Sequence, residues 1–138
     1  MSRYIYSKIQ PTRLLHIVHR LLETDKDKRI DIIPPNNFLQ IATIPLKNNQ
    51  TFKAHRHIWG HFMGLKIANE SWMVVRGKVK AILYDIDNTI LEEIELFPGD
   101  FSCTLEGGHN YIATSDDTLV FEIKTGPYLG QELDKEFI

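Results

Sequence analysis

Four side chains that are far apart along the sequence have the types and the spacing that a metal site requires. Two histidines alternate with an arginine in His55-Arg56-His57. Because residues i and i+2 of a β-strand point to the same face, both imidazoles would project side by side. Glu70 begins the next strand-like run, and His109 follows a Gly-Gly pair well downstream. Imidazoles and a carboxylate form a ligand set that suits divalent zinc, iron, manganese or nickel, so His55, His57, Glu70 and His109 are the candidate metal ligands.

Each of these residues also has an ordinary structural interpretation. Two histidines at i and i+2 can be exposed strand residues, Glu70 can be a charge at a strand edge, and His109 can cap a turn. His61 lies in the long connection between His57 and Glu70, where it could replace a ligand or carry protons, but a histidine there is more often a loop residue. The metal interpretation is favoured because the candidate ligands occur in order, with turn signals between them.

Short β-strands separated by turn residues must position these side chains. From Arg29 onward, runs rich in valine, isoleucine, leucine and aromatic residues alternate with proline, glycine, asparagine and aspartate. This pattern is typical of an all-β sandwich or closed barrel. The predicted strands are Ile30–Ile33, Phe38–Leu46, Thr51–His57, Ser71–Arg76, Lys78–Asp85, Thr89–Leu96, Phe101–Leu105, His109–Thr114 and Thr118–Lys124. The tail from Gly126 is expected to be extended or weakly helical.

An N-terminal helix is predicted ahead of these strands. Proline is tolerated in a first helical turn, and Pro11 is followed by apolar residues at helical spacing. These residues are Leu14, Leu15, Ile17, Val18, Leu21 and Leu22. We therefore predict one N-terminal α-helix over Pro11–Thr24, packed as a flank or lid. Residues 1–28 would form an arm and helix, and residues 29–138 a β-barrel domain with an extended C-terminal tail.

Composition excludes several classes of protein. A chain of 138 residues with 43% hydrophobic and 25% charged residues fits one globular domain. The net charge is −2 and the basic residues are scattered, which argues against a nucleic-acid partner. The single cysteine, Cys103, cannot form an internal disulfide, which fits a reducing cytoplasm. The N-terminus lacks a signal-peptide core and no stretch has the length of a membrane span, so we expect a cytoplasmic protein without a membrane partner.

The order of these motifs resembles the cupin family over roughly residues 38–124. The first cupin motif has His-x-His, a glutamate and then a glycine, and here Gly77 lies seven positions after Glu70. The second motif has Pro-Gly-Asp followed by a glycine turn and a histidine, and here Pro98-Gly99-Asp100 precedes Gly107-Gly108-His109. One departure is the twelve-residue gap between His57 and Glu70, which is longer than the common cupin spacing.

Two further segments resemble the WbuC-type cupins that are found with polysaccharide biosynthesis genes. They are Trp72–Asp85 and Glu122–Tyr128, the latter followed by Asp134-Lys135-Glu136-Phe137. The resemblance implies a jelly-roll barrel that holds a divalent metal in its interior. It also implies a small-molecule ligand, such as a sugar or carboxylate, and a homodimer.

Three functions stay open at this point. The first is a metal-dependent enzyme of isomerase, hydrolase or dioxygenase type that acts on a carbohydrate-derived or carboxylated small molecule. The second is a non-catalytic cupin that binds a small ligand as a sensor or carrier. The third is a metal-free sugar epimerase or isomerase that uses histidine and tyrosine as acid and base.

Overall fold

The chain is almost entirely β-structure. The computed structural model describes residues 1–22, 27–58, 68–128 and 130–138, and in these ranges it has twelve strands and one four-residue helix. The elements are β1 (Ser2–Tyr6), β2 (Leu14–His19), β3 (Ile30–Asp31), β4 (Leu39–Leu46), β5 (His55–His57), β6 (Glu70–Arg76), β7 (Val79–Tyr84), β8 (Ile90–Leu96), β9 (Phe101–Thr104), β10 (Gly108–Ala113), β11 (Thr118–Thr125), α1 (Gln131–Asp134) and β12 (Lys135–Phe137). The all-β prediction is confirmed.

All nine strands predicted from residue 30 onward are present. The largest difference in bounds concerns the strand that carries the histidines, which was predicted from Thr51 and begins at His55. Thr51 instead forms an isolated antiparallel bridge to Ile112. Alternating hydrophobicity therefore located the strands well, because a strand with one buried face must place its apolar residues at every second position.

Two five-stranded antiparallel sheets form the body of the domain. One has the order β12-β5-β10-β7-β8 and the other β3-β4-β11-β6-β9. Strands that are distant in sequence lie side by side: β10 pairs with β5 so that His109 is opposite His55, and β12 pairs with β5 so that Lys135 is opposite His57. Two strands from the C-terminal third of the chain, β10 and β12, thus flank the strand that carries the histidine pair.

The hydrophobic core lies between the two sheets. It consists of Ile44, Leu46, Trp72, Val74, Val79, Ala81, Leu96, Tyr111, Ala113 and Val120. Trp72 of β6 stacks on Tyr111 of β10 with ring centroids 4.3 Å apart and planes 10° apart, so this aromatic pair joins the two sheets beside the histidines. Burial of large aromatic rings is a major source of stability in a core of this size.

The predicted N-terminal helix is wrong. Leu14–His19 is strand β2, which pairs antiparallel with β1 as a separate two-stranded sheet. The spacing of a short apolar run fits a strand and a helix equally well, and here the β-branched pair Ile17-Val18 and a partner strand decide for the strand. Ser2 and His19 join the two strands through an Oγ to Nδ1 contact of 2.9 Å. The end of the predicted helix, residues 23–24, lies outside the described residues, and the domain division at residue 28 stays a prediction.

Two of the motif glycines sit in turns that require them. Gly77 has φ +74°, and a Cβ there would lie 2.7 Å from the Cα of Thr118. Gly99 has φ +94° with open space around it, and in the same turn the carboxylate of Asp100 accepts the amide hydrogen of Phe97 at 2.8 Å. Only glycine adopts positive φ without strain, so both motif glycines are explained by turn geometry.

The C-terminal tail closes one end of the β-domain. The helix α1 is a single turn, and β12 follows it directly as the edge strand next to β5. The short helix of this fold therefore lies at the C-terminal end of the chain, in the tail that was predicted to be extended or weakly helical. No helix in the described ranges has the length and the apolar character needed to cross a bilayer.

Candidate metal centre

The four predicted ligands lie together between the sheets. His55 and His57 project inward from β5, His109 projects inward from the neighbouring β10, and Glu70 reaches them from the first position of β6 in the opposite sheet. All four are buried, with His109 at 0% exposure. One potential ligand atom from each residue lies within 4.8 Å of those of the others. The fold thus assembles three imidazoles and one carboxylate into a single cluster.

The carboxylate of Glu70 lies at the centre of the contacts within this cluster. One of its oxygens is 3.1 Å from Nε2 of His57, and the other is 3.4 Å from Nε2 of His109. Trp72 donates its indole N–H to the second oxygen at 3.2 Å. Contacts with His57 and Trp72 therefore fix the carboxylate of Glu70, and His109 lies beside it.

Nδ1 of each imidazole faces a group outside the cluster, through a hydrogen bond for His55 and His109 and through a charge contact for His57. Nδ1 of His55 contacts the carbonyl oxygen of Lys53 at 2.8 Å, and Nδ1 of His109 contacts the hydroxyl of Thr104 at 2.8 Å. Nδ1 of His57 lies 3.3 Å from a carboxylate oxygen of Asp134. With Nδ1 engaged outside, Nε2 is left for the interior in all three residues. Metal-binding histidines are oriented in this way by outer carboxylates, carbonyls and hydroxyls.

Nε2 of His109 is a buried nitrogen for which the described residues provide no hydrogen-bond partner. The oxygen of Glu70 that lies 3.4 Å away does not meet the geometry of a hydrogen bond to this nitrogen. A buried nitrogen without a partner carries an energetic cost, and a cation at the cluster would remove that cost. The donor set and this unpaired nitrogen therefore fit a divalent metal ion.

His57 lies between two carboxylates. Burial alone would lower the pKa of His57, but Asp134 on one ring nitrogen and Glu70 on the other raise it to about 9. Asp134 is in turn 2.9 Å from the ammonium of Lys124. In the metal-free protein the positive charge of an imidazolium at His57 thus balances the two buried carboxylates, and a metal ion would take the place of that proton.

His55 and Glu70 are shifted in the opposite direction. Burial lowers the pKa of His55 to about 4, and the charges of His109 and Lys135 act in the same sense against the hydrogen bond to Lys53. Burial would raise the pKa of Glu70, but His109 and His57 outweigh it and hold that pKa well below its ordinary range. At neutral pH the cluster therefore offers a neutral imidazole at His55 and an ionised carboxylate at Glu70, which are the forms that bind metals.

A cavity of about 240 Å³ reaches the cluster at Glu70. Its wall also contains Lys124, Tyr128 and Lys135 from the C-terminal part of the chain, and Arg29, which immediately precedes β3. The acidic residues Asp31 and Glu122, which pair with Arg29, lie in the same wall. This volume is slightly below the range typical of drug-sized ligands, so the cavity suits a small molecule.

Comparison with solved structures assigns the fold. KdgF from Halomonas sp. aligns with a TM-score of 0.55 and 19% identity, over 70% of this chain and 77% of that one. A cupin superfamily protein from Desulfitobacterium hafniense aligns with a TM-score of 0.52 and 12% identity, over 70% and 74% of the two chains. A cupin-2 domain containing protein from Shewanella frigidimarina aligns with a TM-score of 0.51 and 16% identity, over 72% and 81%. The fold is the cupin jelly roll.

These similarities concern the fold alone, since the identities are low. No protein-family model and no curated protein sequence matches the chain. The cupin resemblance found in the motifs is therefore supported by the structure neighbours, whereas the WbuC-type branch stays a prediction.

Sequence reasoning missed the residues that surround the cluster. Asp134, Lys124 and Thr104 contact the cluster or its nearest carboxylate, but none has a spacing relative to the histidines that would identify it. The segment beginning at Asp134 was noted only as part of a family resemblance. His61, considered as a replacement ligand, lies outside the described residues.

Proposed function

We propose that this chain is a small metal-dependent cupin enzyme that acts on a carbohydrate-derived or carboxylated small molecule. His55, His57, Glu70 and His109 would hold one divalent ion of zinc, iron, manganese or nickel. The observation that carries the proposal is the arrangement of the three imidazoles, whose ligand atoms lie within 4.8 Å of one another and of Glu70. Nδ1 is hydrogen-bonded outside the cluster in His55 and His109 and faces Asp134 in His57, which leaves Nε2 for the interior. A set of surface histidines would not be anchored from outside in this way.

The residues around the cluster would orient a ligand and exclude water from it. A bound divalent ion supplies Lewis acidity and open positions for a substrate oxygen. The stacked rings of Trp72 and Tyr111 close the cluster on the core side. Burial raises the pKa of Tyr111 to about 12, so its hydroxyl keeps its proton at neutral pH, and this hydroxyl lies 3.3 Å from that of Ser102.

Elemental analysis of protein purified without added metal tests the ligand assignment. We expect about one divalent ion per chain in the wild type, loss of that ion in His57→Ala and Glu70→Gln, and retention in His16→Ala. His16 is a matched control because it is an exposed histidine on β2, away from the two main sheets. Metal at wild-type level in His57→Ala would contradict the assignment, provided that circular dichroism shows a folded variant.

A non-catalytic ligand-binding cupin is separated from an enzyme by turnover. Loss of turnover of a sugar acid or other carboxylate on chelation would support the enzyme, and binding without turnover would support a sensor or carrier. A metal-free epimerase would be supported by turnover that survives chelation. The homodimer and the link to polysaccharide biosynthesis stay predictions from the sequence.

A further inference from the structure

Lys135 places a positive charge directly beside the candidate metal centre. It is the first residue of β12 and lies opposite His57 of β5. Its Nζ is 3.4 Å from Nε2 of His55, the nitrogen that faces the cluster. Because Nδ1 of His55 contacts the carbonyl oxygen of Lys53, that nitrogen carries the ring proton and Nε2 can accept a hydrogen bond from the ammonium.

Lys135 differs from the other basic residues of the cavity wall. Lys124 is engaged by Asp134 at 2.9 Å, and Arg29 is engaged by Asp31 at 2.8 Å and by Glu122 at 2.7 Å. Within the described part of the chain, Lys135 has no carboxylate within ion-pair distance. Lys135 therefore contributes a half-buried ammonium to the cavity wall that has no ion-pair partner of its own.

A metal ion would take away the only acceptor that the described residues offer this ammonium. Once Nε2 of His55 coordinates a metal, it cannot accept a hydrogen bond from Lys135. The ammonium would then lie beside a second positive charge in a partly dehydrated cavity, which is unfavourable. An anionic oxygen that contacts both positive charges removes the conflict.

On this basis we propose that Lys135 is a specificity-determining residue that contacts the carboxylate of a small ligand held at the cluster. The inference rests on the proposed metal site and extends it by naming the group that recognises the ligand's charge. A carboxylate fits better than a phosphate, because a single unpaired lysine balances one negative charge and the other two basic residues are already paired. The cavity of about 240 Å³ limits the ligand to a small molecule.

Titration of the Co²⁺-loaded protein with acetate tests the inference without a known substrate. The visible absorption of Co²⁺ reports the binding, and acetamide serves as an uncharged probe of the same shape. We expect the wild type to bind acetate more tightly than acetamide. Lys135→Met should weaken acetate binding by about tenfold or more, as expected for loss of a hydrogen bond to a charged group, and should leave acetamide binding unchanged. Lys135→Arg should restore most of the acetate affinity.

Lys78→Met is the matched control, because it removes the same charge from an exposed position. Lys78 immediately precedes β7 and lies five residues before Leu83, the residue opposite His109, so about 17 Å of extended chain separates Lys78 from Leu83. The Lys78→Met variant should retain wild-type acetate affinity. An acetate affinity of Lys135→Met within twofold of the wild type, or equal binding of acetate and acetamide by the wild type, would overturn the inference.

Metal content separates this inference from the proposed metal site. If Lys135→Met keeps its metal and loses acetate, both stand. If the wild type holds no metal, the metal site falls, and acetate titration of the metal-free protein, followed by the histidine ring resonances in NMR spectra, decides on Lys135. In that titration, weaker binding by Lys135→Met supports the inference and equal binding refutes it.

Discussion

Metal binding at this cluster should release a proton, and the source of that proton should be His57. Its imidazole lies between Asp134 and Glu70, which raise its pKa to about 9. His55, with a pKa of about 4, is already neutral at pH 7. A metal ion binds only the neutral imidazole, so binding at neutral pH must displace the proton from His57.

The size of the effect follows from the difference between the pH and this pKa. At pH 7, two units below a pKa of about 9, about 1% of His57 is neutral. The apparent affinity for zinc should therefore be about 100-fold below its maximum, which is about 3 kcal/mol. It should rise by about tenfold per pH unit and level off above pH 9.

Competition with a chelator of known zinc affinity, repeated from pH 6.5 to 10, measures this slope. Calorimetry in buffers of different ionisation enthalpy gives the number of protons released, which should be about one at pH 7. In Asp134→Asn the affinity should level off at a lower pH, since one of the two carboxylates that raise the pKa of His57 is gone. Tight zinc binding with no proton release at pH 7 would show that His57 is not both protonated in the free protein and a ligand in the loaded one.

Three further predictions concern the support of the cluster and of the fold. Above pH 9, Asp134→Asn should weaken zinc binding by about 10- to 100-fold, because the outer carboxylate that orients His57 is lost. Equal zinc affinities of the variant and the wild type in the chelator competition would contradict this. The metal-free protein should lose about 2–3 kcal/mol of its free energy of unfolding as the pH rises from 6.5 through 9. The reason is that the folded-state pKa of His57 lies above its unfolded value, so the stabilisation is complete only below pH 6.5. Urea unfolding at each pH measures the loss, and a stability that does not change with pH would refute the prediction. Gly77→Ala should destabilise the protein by more than Gly99→Ala, since both glycines have positive φ but only an alanine at position 77 would drive its Cβ against Thr118. In urea unfolding we expect a loss of about 1 kcal/mol for Gly99→Ala and of at least about 3 kcal/mol for Gly77→Ala. Equal losses would show that the contact with Thr118 is relieved.

Local patterns in the sequence predicted most of the β-domain. The strands from residue 30 onward alternate apolar and polar residues, and the turns between them contain glycine, proline or asparagine at positions that need their particular dihedral angles. These are short-range properties, so they can be recognised without knowing which strands are neighbours. The placement of His55 and His57 on the same face of their strand is a consequence of the same two-residue period.

The N-terminal segment shows the limit of such patterns. Leu14–His19 has a spacing that suits a helix and a strand alike, and the presence of β1 as a partner decides between them. A period read from one segment carries no information about what lies next to it. The same error can therefore arise for any short apolar run.

The residues needed for the cluster could be recognised from their types and order, because few side chains bind divalent ions and the cupin motifs place them in sequence. The side chains that surround them could not be recognised in this way. Asp134 and Lys135 reach His57 and His55 only because β12 pairs with β5, across about 80 residues of chain. Long-range strand pairing depends on the packing of the whole domain, so the charges that tune His57 and the ammonium beside His55 become visible only when the strands are assembled.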